Sequence, residues 1–276
     1  MMKLPINPVS VRKTMAQVDA SGARPRSLAV GGARELAAVL RRELARGASP
    51  GAVRDSDDPA GASVYVHVLG RDPGEEDERA LRRARTARVP IVVVAAGASL
   101  EDQSLPFVMA TDIVHVGAGA GFPVDDIART IAERLREEAA PLAAGVPALR
   151  GPVSDQIVKA FARKNAIVAA VVFIPGADLP VLTLNQIRMV LRLGQVHGRK
   201  TSRELIPEVG ATLAAGLGFR TIARQLLDFI PVAGWAVKSA VAYTGTRALG
   251  EAAVLRLADR DGEATRPPDG ASRGGP

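Results

Sequence analysis

The sequence predicts an α/β domain with a small parallel sheet in a three-layer arrangement, followed by an all-α domain built as a bundle of two helical hairpins. Three observations carry this. The apolar runs VYVHVL (64–69) and IVVVAA (91–96) alternate with amphipathic stretches, the pattern of buried parallel strands joined by helices. From about Ser154 the apolar spacing turns helical and stays so. The segment FIPGADLPVLTLNQIRMVLRLG (173–194), finally, is matched in length, FIP opening and closing Gly by FIPVAGWAVKSAVAYTGTRALG (229–250).

Residues 1–27 read as an N-terminal arm. MMKLPINPVSVRKTM carries no apolar core of the signal-peptide kind, so a cytoplasmic location is expected. The α/β domain spans 28–150: the run Leu28 to Val30 is a strand, Gly31 and Gly32 a tight turn, and ARELAAVLRREL a helix. VYVHVL is the next strand, EEDERALRRARTA (75–87) a helix with acids in its first turn, and IVVVAA a further strand. FVMATDIVHV (107–116) is read as a strand, and Pro123 opens the helix VDDIARTIAERLREE, where Asp125 and Asp126 complement the N-terminal dipole. Strands joined this way imply right-handed crossovers in a parallel sheet.

This order resembles a small GTPase domain that has lost its chemistry. The likeness lies in LAVGG opening a helix, in VYVHVLGRDPGEEDERALRRARTARVPIVVVAAG, and in HVGAGAGFPVDDI before a last helix. A working phosphate loop needs backbone N–H groups and a Lys ammonium around the phosphates. Here GGARELAAV follows the first strand, without Lys, and AAGASLED stands where a guanine-reading motif would follow IVVV. The sequence therefore offers no catalytic residue and no cofactor-binding residue. DPAG (58–61) has the shape of a switch motif but precedes its strand, and reads as a turn.

The helical domain covers 151–258. SDQIVKAFARKNAIVAAVV leads through FIPGADLP into VLTLNQIRMVLRLG, and ELIPEVGATLAAGLGFRTIARQLLD leads through FIPVAGW into AVKSAVAYTGTRALGEAAVLRL. The Pro of each FIP ends a helix, and Asp178 is placed to cap the next one. GQVHGRKT (194–201) imitates a phosphate loop, but it follows a helix instead of a strand, so it reads as a basic interhelical turn. Prolines, glycines and an acid interrupt residues 166–184, which disfavours simple membrane spanning. Two arrangements remain: a buried bundle, or an interfacial hairpin whose tips, Phe173 with Ile174 and Phe229 with Trp235, dip into lipid. Small residues four apart (Gly210, Ala214, Gly218; Ala236, Ala240, Thr244) suit close helix packing. Asn185, Arg188 and Arg192 share one helical face, which is either solvated, pairing with Glu204 or Glu208, or a docking site for lipid head groups or a partner. Residues 259–276 are polar, rich in Pro and Gly, and expected to be disordered.

VFIPGADLPVLTLNQIRMVLRLG, PEVGATLAAGLGFRTIARQLLDFIPVAGW and YTGTRALGEAA are similar to the YcjF-like domain of unknown function, a bacterial domain found beside or fused to GTPase domains. The likeness covers roughly residues 150–256. It implies a location at the cytoplasmic face of the cell membrane, peripheral or integral, with membrane lipid, membrane proteins or a GTPase as partners. It implies no reaction.

Composition narrows the remaining classes. The formal charge of +7 belongs to the helical half: residues 151–258 carry 13 Lys and Arg against 6 Asp and Glu, while residues 1–150 carry 20 against 19. With aromatics at only 3%, base-stacking platforms are scarce, so anionic lipid or an acidic partner is expected instead of specific nucleic acid. The chain has no cysteine, and His67, His115 and His197 lack ligand-spaced partners, so neither a metal nor a cofactor is expected. The favoured expectation is a non-catalytic, membrane-associated adaptor with a pseudo-GTPase domain. An atypical nucleotide hydrolase using Gly31 and Gly32, and a purely soluble interaction module, are the alternatives.

Overall fold

The computed structural model describes residues 8–22, 26–97, 105–117, 119–171, 179–199, 210 and 234–265. Five strands, β1 (Leu28–Gly32), β2 (Val53–Asp55), β3 (Val64–Leu69), β4 (Ile91–Ala96) and β5 (Ile113–Val116), form one sheet in the order β2-β1-β3-β4-β5. Every neighbouring pair is parallel. The order reverses between β1 and β3, the switch point of a doubly wound sheet.

Helices α2 (Arg34–Leu44), α3 (Glu75–Thr86) and α4 (Val124–Leu135) cover the sheet. Leu28, Val30, Val66, Val68, Val92 and Val94 face Leu40 and Leu44 of α2 and Ile127 and Ile131 of α4. On the opposite face Tyr65, Leu69, Ile91 and Val93 pack on Leu81 and Ala84 of α3. The two buried runs are strands with the bounds the sequence predicts. Two elements differ. Strand β5 is confined to four residues because Ala110–Asp112 winds into a 3-10 turn with Asp112 buried. Strand β2 has no counterpart in the sequence reading: three residues after Gly51 add to the sheet edge through Leu28↔Val53 pairing.

Within the expected N-terminal arm, residues 8–22 form a helix, α1 (Pro8–Gly22). A short helix, α5 (Ala140–Gly145), follows α4, and then come α6 (Arg150–Val171), α7 (Leu179–Val196) and α8 (Gly234–Thr265). One apolar core runs from the sheet through α4 into Val153, Ile157 and Phe161 of α6 and on to Val190 and Leu193 of α7 and Leu257 of α8. α1 joins it through Val18, whose carbonyl accepts a hydrogen bond from Gln195 of α7. Residues 194–199 of GQVHGRKT form the end of α7, where Gly198, at φ +73, closes the helix with Arg199 N–H donating to Gly194 O at 2.9 Å; Lys200 and Thr201 lie outside the described residues. The second helix of the second expected hairpin is α8, whereas its first helix lies outside the described residues. None of the described helices is long and apolar enough to cross a membrane.

The contact between α6 and α8 is close at Gly250, where a Cβ would stand 2.6 Å from Cγ2 of Val158. A β-branched side chain on a helix has little freedom to turn aside. Gly250→Ala is therefore expected to lower stability by about 1–3 kcal/mol, although alanine gains about 1 kcal/mol in helix propensity. Adding Val158→Ala should recover part of the loss in urea unfolding. A single variant as stable as the parent would show that the helices separate freely.

Candidate functional site

Ligands of open parallel sheets sit beyond the carboxyl ends of the strands at the switch point. Here that place is a crevice of about 460 Å³, with Gly31, Gly32, Asp57, Gly70, Arg71 and Asp77 in its wall. The turn from β1 into α2 is tight. A Cβ at Gly31 would stand 2.6 Å from both the Asp57 carboxylate and the Tyr65 hydroxyl, and Gly32 at φ +101 lies against Val68.

A phosphate at a helix N-terminus needs the N–H groups of such a turn. They are occupied. Gly32 N–H donates to Asp57 Oδ1 at 3.2 Å, and Ala33 N–H donates to Val68 O at 2.8 Å. The protein's own carboxylate thus stands where an anion would. Asp55, Glu76 and Asp77 add negative charge around the crevice, against Arg34 and Arg71.

A buried chain of hydrogen bonds runs behind this wall. Asp77, in the first turn of α3, accepts from Gly74 N–H at 2.9 Å and lies 2.9 Å from His67 Nε2, while His67 Nδ1 lies 3.0 Å from the Tyr65 hydroxyl. The ionised Asp77 is the acceptor, so Nε2 carries the imidazole proton and Nδ1 accepts from tyrosine. The His67 hydrogen bond, then that of Gly74 N–H and the charge of Arg71, hold the Asp77 carboxyl below its usual range against the opposing effect of burial. Burial first, and the Asp57 carboxylate second, push the Tyr65 hydroxyl far above its usual range. Tyr65 therefore keeps its proton, and His67, at 1% exposure, cannot meet a substrate. The chain pins α3 to β3. Tyr65 and His67 alternate on one strand face, a signal present in VYVHVL, but their partner on α3 is set only by the fold.

The residues that the sequence singles out for lipid or partner contact separate in the structure. Asn185 is buried, and its amide donates to Asn165 Oδ1 at 2.9 Å; it belongs to the helix interface and does not face outward. Arg188 is half-buried. Arg192 donates to Gln195 Oε1 at 2.9 Å and lies 3.9 Å from Glu137 Oε2, and Glu204 and Glu208 lie outside the described residues. Phe173, Ile174, Phe229 and Asp178 also lie outside them, as does the side chain of Trp235. Of the small-residue stripes, Ala236, Ala240 and Thr244 are exposed on α8, whereas Ala214 and Gly218 lie outside the described residues.

A second surface was not among the sequence candidates. Ile167 and Val171 are each 64% exposed at the end of α6, and Val181 is 48% exposed at the start of α7. One helical turn before Ile167, on the same stripe, is exposed Arg163, with Lys164 beside it; Lys238 lies in the second turn of α8. No family model, curated protein or solved structure matches the chain.

Replacing Asp77 with Asn would remove the charge between two donors; with its oxygen kept on Gly74 N–H, its amide nitrogen meets His67 Nε2, which can accept only by moving the imidazole proton to Nδ1, against the Tyr65 hydroxyl. The expected cost is about 1–3 kcal/mol at neutral pH. Because the folded carboxyl lies below its unfolded value of about 4, its stabilisation is present above that pH and is lost as the pH falls through the folded value. Asp77→Asn should therefore flatten the acid limb of a stability profile measured by urea unfolding. An unchanged acid limb would remove Asp77 from the account.

Proposed function

We propose that this protein is a non-catalytic adaptor that docks on an anionic membrane surface through the end of its helical domain. The observation that carries the reading is the apolar end of α6 and α7, with Arg163, Lys164 and Lys238 set about one turn inward. Apolar side chains beyond a basic collar match the two layers of a lipid interface, acyl chains beneath charged head groups. Burying Ile167, Val171 and Val181 contributes on the order of 1–2 kcal/mol each, at about 25 cal/mol per Å². The non-catalytic part is supported by the occupied N–H groups at Gly32 and Ala33 and by the inaccessible His67. Likeness of the α/β half to a GTPase domain rests on sequence, since an all-parallel sheet of order 2-1-3-4-5 is shared by the flavodoxin type.

In flotation, the purified chain should rise with anionic vesicles and less with neutral ones, and high salt should release only part of it, because screening leaves the apolar contribution. Ile167→Asp with Val171→Asp should abolish recovery, and Arg163→Gln with Lys164→Gln should remove the preference for anionic lipid. A chain that never floats is a soluble interaction module, and the membrane reading then fails.

Calorimetry with GTP and magnesium tests the other half of the proposal. No binding is expected, because Asp57 competes for the turn's N–H group. Micromolar affinity would point instead to an atypical nucleotide hydrolase.

A further inference from the structure

At the opposite, amino-terminal end of the strands, where β4 begins, a cavity of about 420 Å³ is lined by Arg85, Thr86, Arg88, Val89, Pro90 and Arg134. Three arginines share this wall, and among the described residues no carboxylate does. Two further observations set it apart from an ordinary basic surface.

The first is backbone strain. Helix α3 ends with Arg88 N–H donating to Arg85 O at 3.1 Å and Val89 N–H donating to Ala84 O at 3.0 Å, the closure that places the residue between them in the left-handed region. Glycine is favoured there, yet the residue is Arg88, at φ +57. Arg136, two residues after Arg134 at the end of α4, also has a positive φ, +54. The dipole of a helix favours a cation in its last turn, but it asks for no arginine in a left-handed position.

The second is an unmet donor. Arg134 Nε is buried without a hydrogen-bond partner among the described residues, and its nearest carboxylate, Asp112 Oδ2, is 3.6 Å away. That separation is an ion pair, not a hydrogen bond. Asp112 answers the charge of Arg134 but leaves that hydrogen bond unmade.

We propose that this pocket binds the phosphate group of a small phosphorylated molecule. Planar guanidinium forks hold phosphate oxygens in pairs, and the volume leaves room for more than the phosphate itself. The site lies away from the Gly31–Gly32 crevice and needs nothing from it.

The test is calorimetry with inorganic pyrophosphate at fixed ionic strength, together with thermal melting of the free protein. The parent chain should bind pyrophosphate saturably, and its melting temperature should rise with the ligand. Arg88→Gly should raise the melting temperature of the free protein, since glycine suits that backbone, while weakening binding by at least about tenfold. Arg85→Gln, at an exposed position, should weaken binding with little change in melting temperature. Absence of saturable binding at millimolar pyrophosphate would overturn the proposal, as would full affinity in both variants.

Discussion

Asn165 is the point on which the helical half turns. It is fully buried on α6, where its amide donates to Thr246 Oγ1 of α8 at 3.0 Å and its carbonyl accepts from Asn185 of α7 at 2.9 Å. A carboxamide stranded in an apolar interface costs about 1–3 kcal/mol, so only the register that brings both partners to Asn165 is stable. Asn165 lies near the end of α6 and Asn185 near the start of α7, which makes the two helices antiparallel. The pairs Asn165–Thr246 and Val158–Gly250 run in opposite senses, so α8 is antiparallel to α6 as well. The end of α6 and the starts of α7 and α8 thus come together, and the exposed Ile167, Val171 and Val181 are gathered there. Three hydrogen-bonding side chains decide which end of the bundle is greasy.

The sequence is legible where burial writes an unbroken pattern. VYVHVL and IVVVAA are buried on both faces, and runs broken only by the buried Tyr65 and His67 leave no other length for the strands. The pattern fails where long-range contact does the work. Val53–Asp55 is too short to carry a period and becomes a strand by adding to β1. Helix α1 did carry a signal, since Val11, Thr14, Met15 and Val18 fall at helical spacing, but its apolar stripe is narrow and makes sense only beside α7. Asn185 shows the reverse error: grouped by periodicity with two arginines, it points inward, because a buried Asn165 awaits it.

The candidate sites are less legible still, for a physical reason. Gly31 and Gly32 announce a phosphate turn equally well whether its N–H groups are open or taken, and nothing local says that Asp57 will fold back onto Gly32. The arginine pocket joins the end of α3 to the end of α4, and in sequence Arg134 is one basic residue of an ordinary amphipathic helix.

Charge bookkeeping at the two ends of the strands separates their chemistry. Each helix terminus acts as about half an elementary charge, positive at the N-terminus and negative at the C-terminus. The crevice receives the N-termini of α2 and α3, about one positive charge in all, and three arginines, Arg34, Arg71 and the Arg41 paired with Asp55, against four carboxylates, Asp55, Asp57, Glu76 and Asp77. The sum is close to zero, so a polyanion gains nothing there. The amino end receives the C-termini of α3 and α4, about one negative charge, and Asp112, against three arginines. That sum is close to one positive charge, left over after the dipoles and the one acid have been answered. An anion arriving at this sheet is therefore drawn to the amino ends of the strands, where nucleotide folds do not put it, more than to the carboxyl ends, where they do.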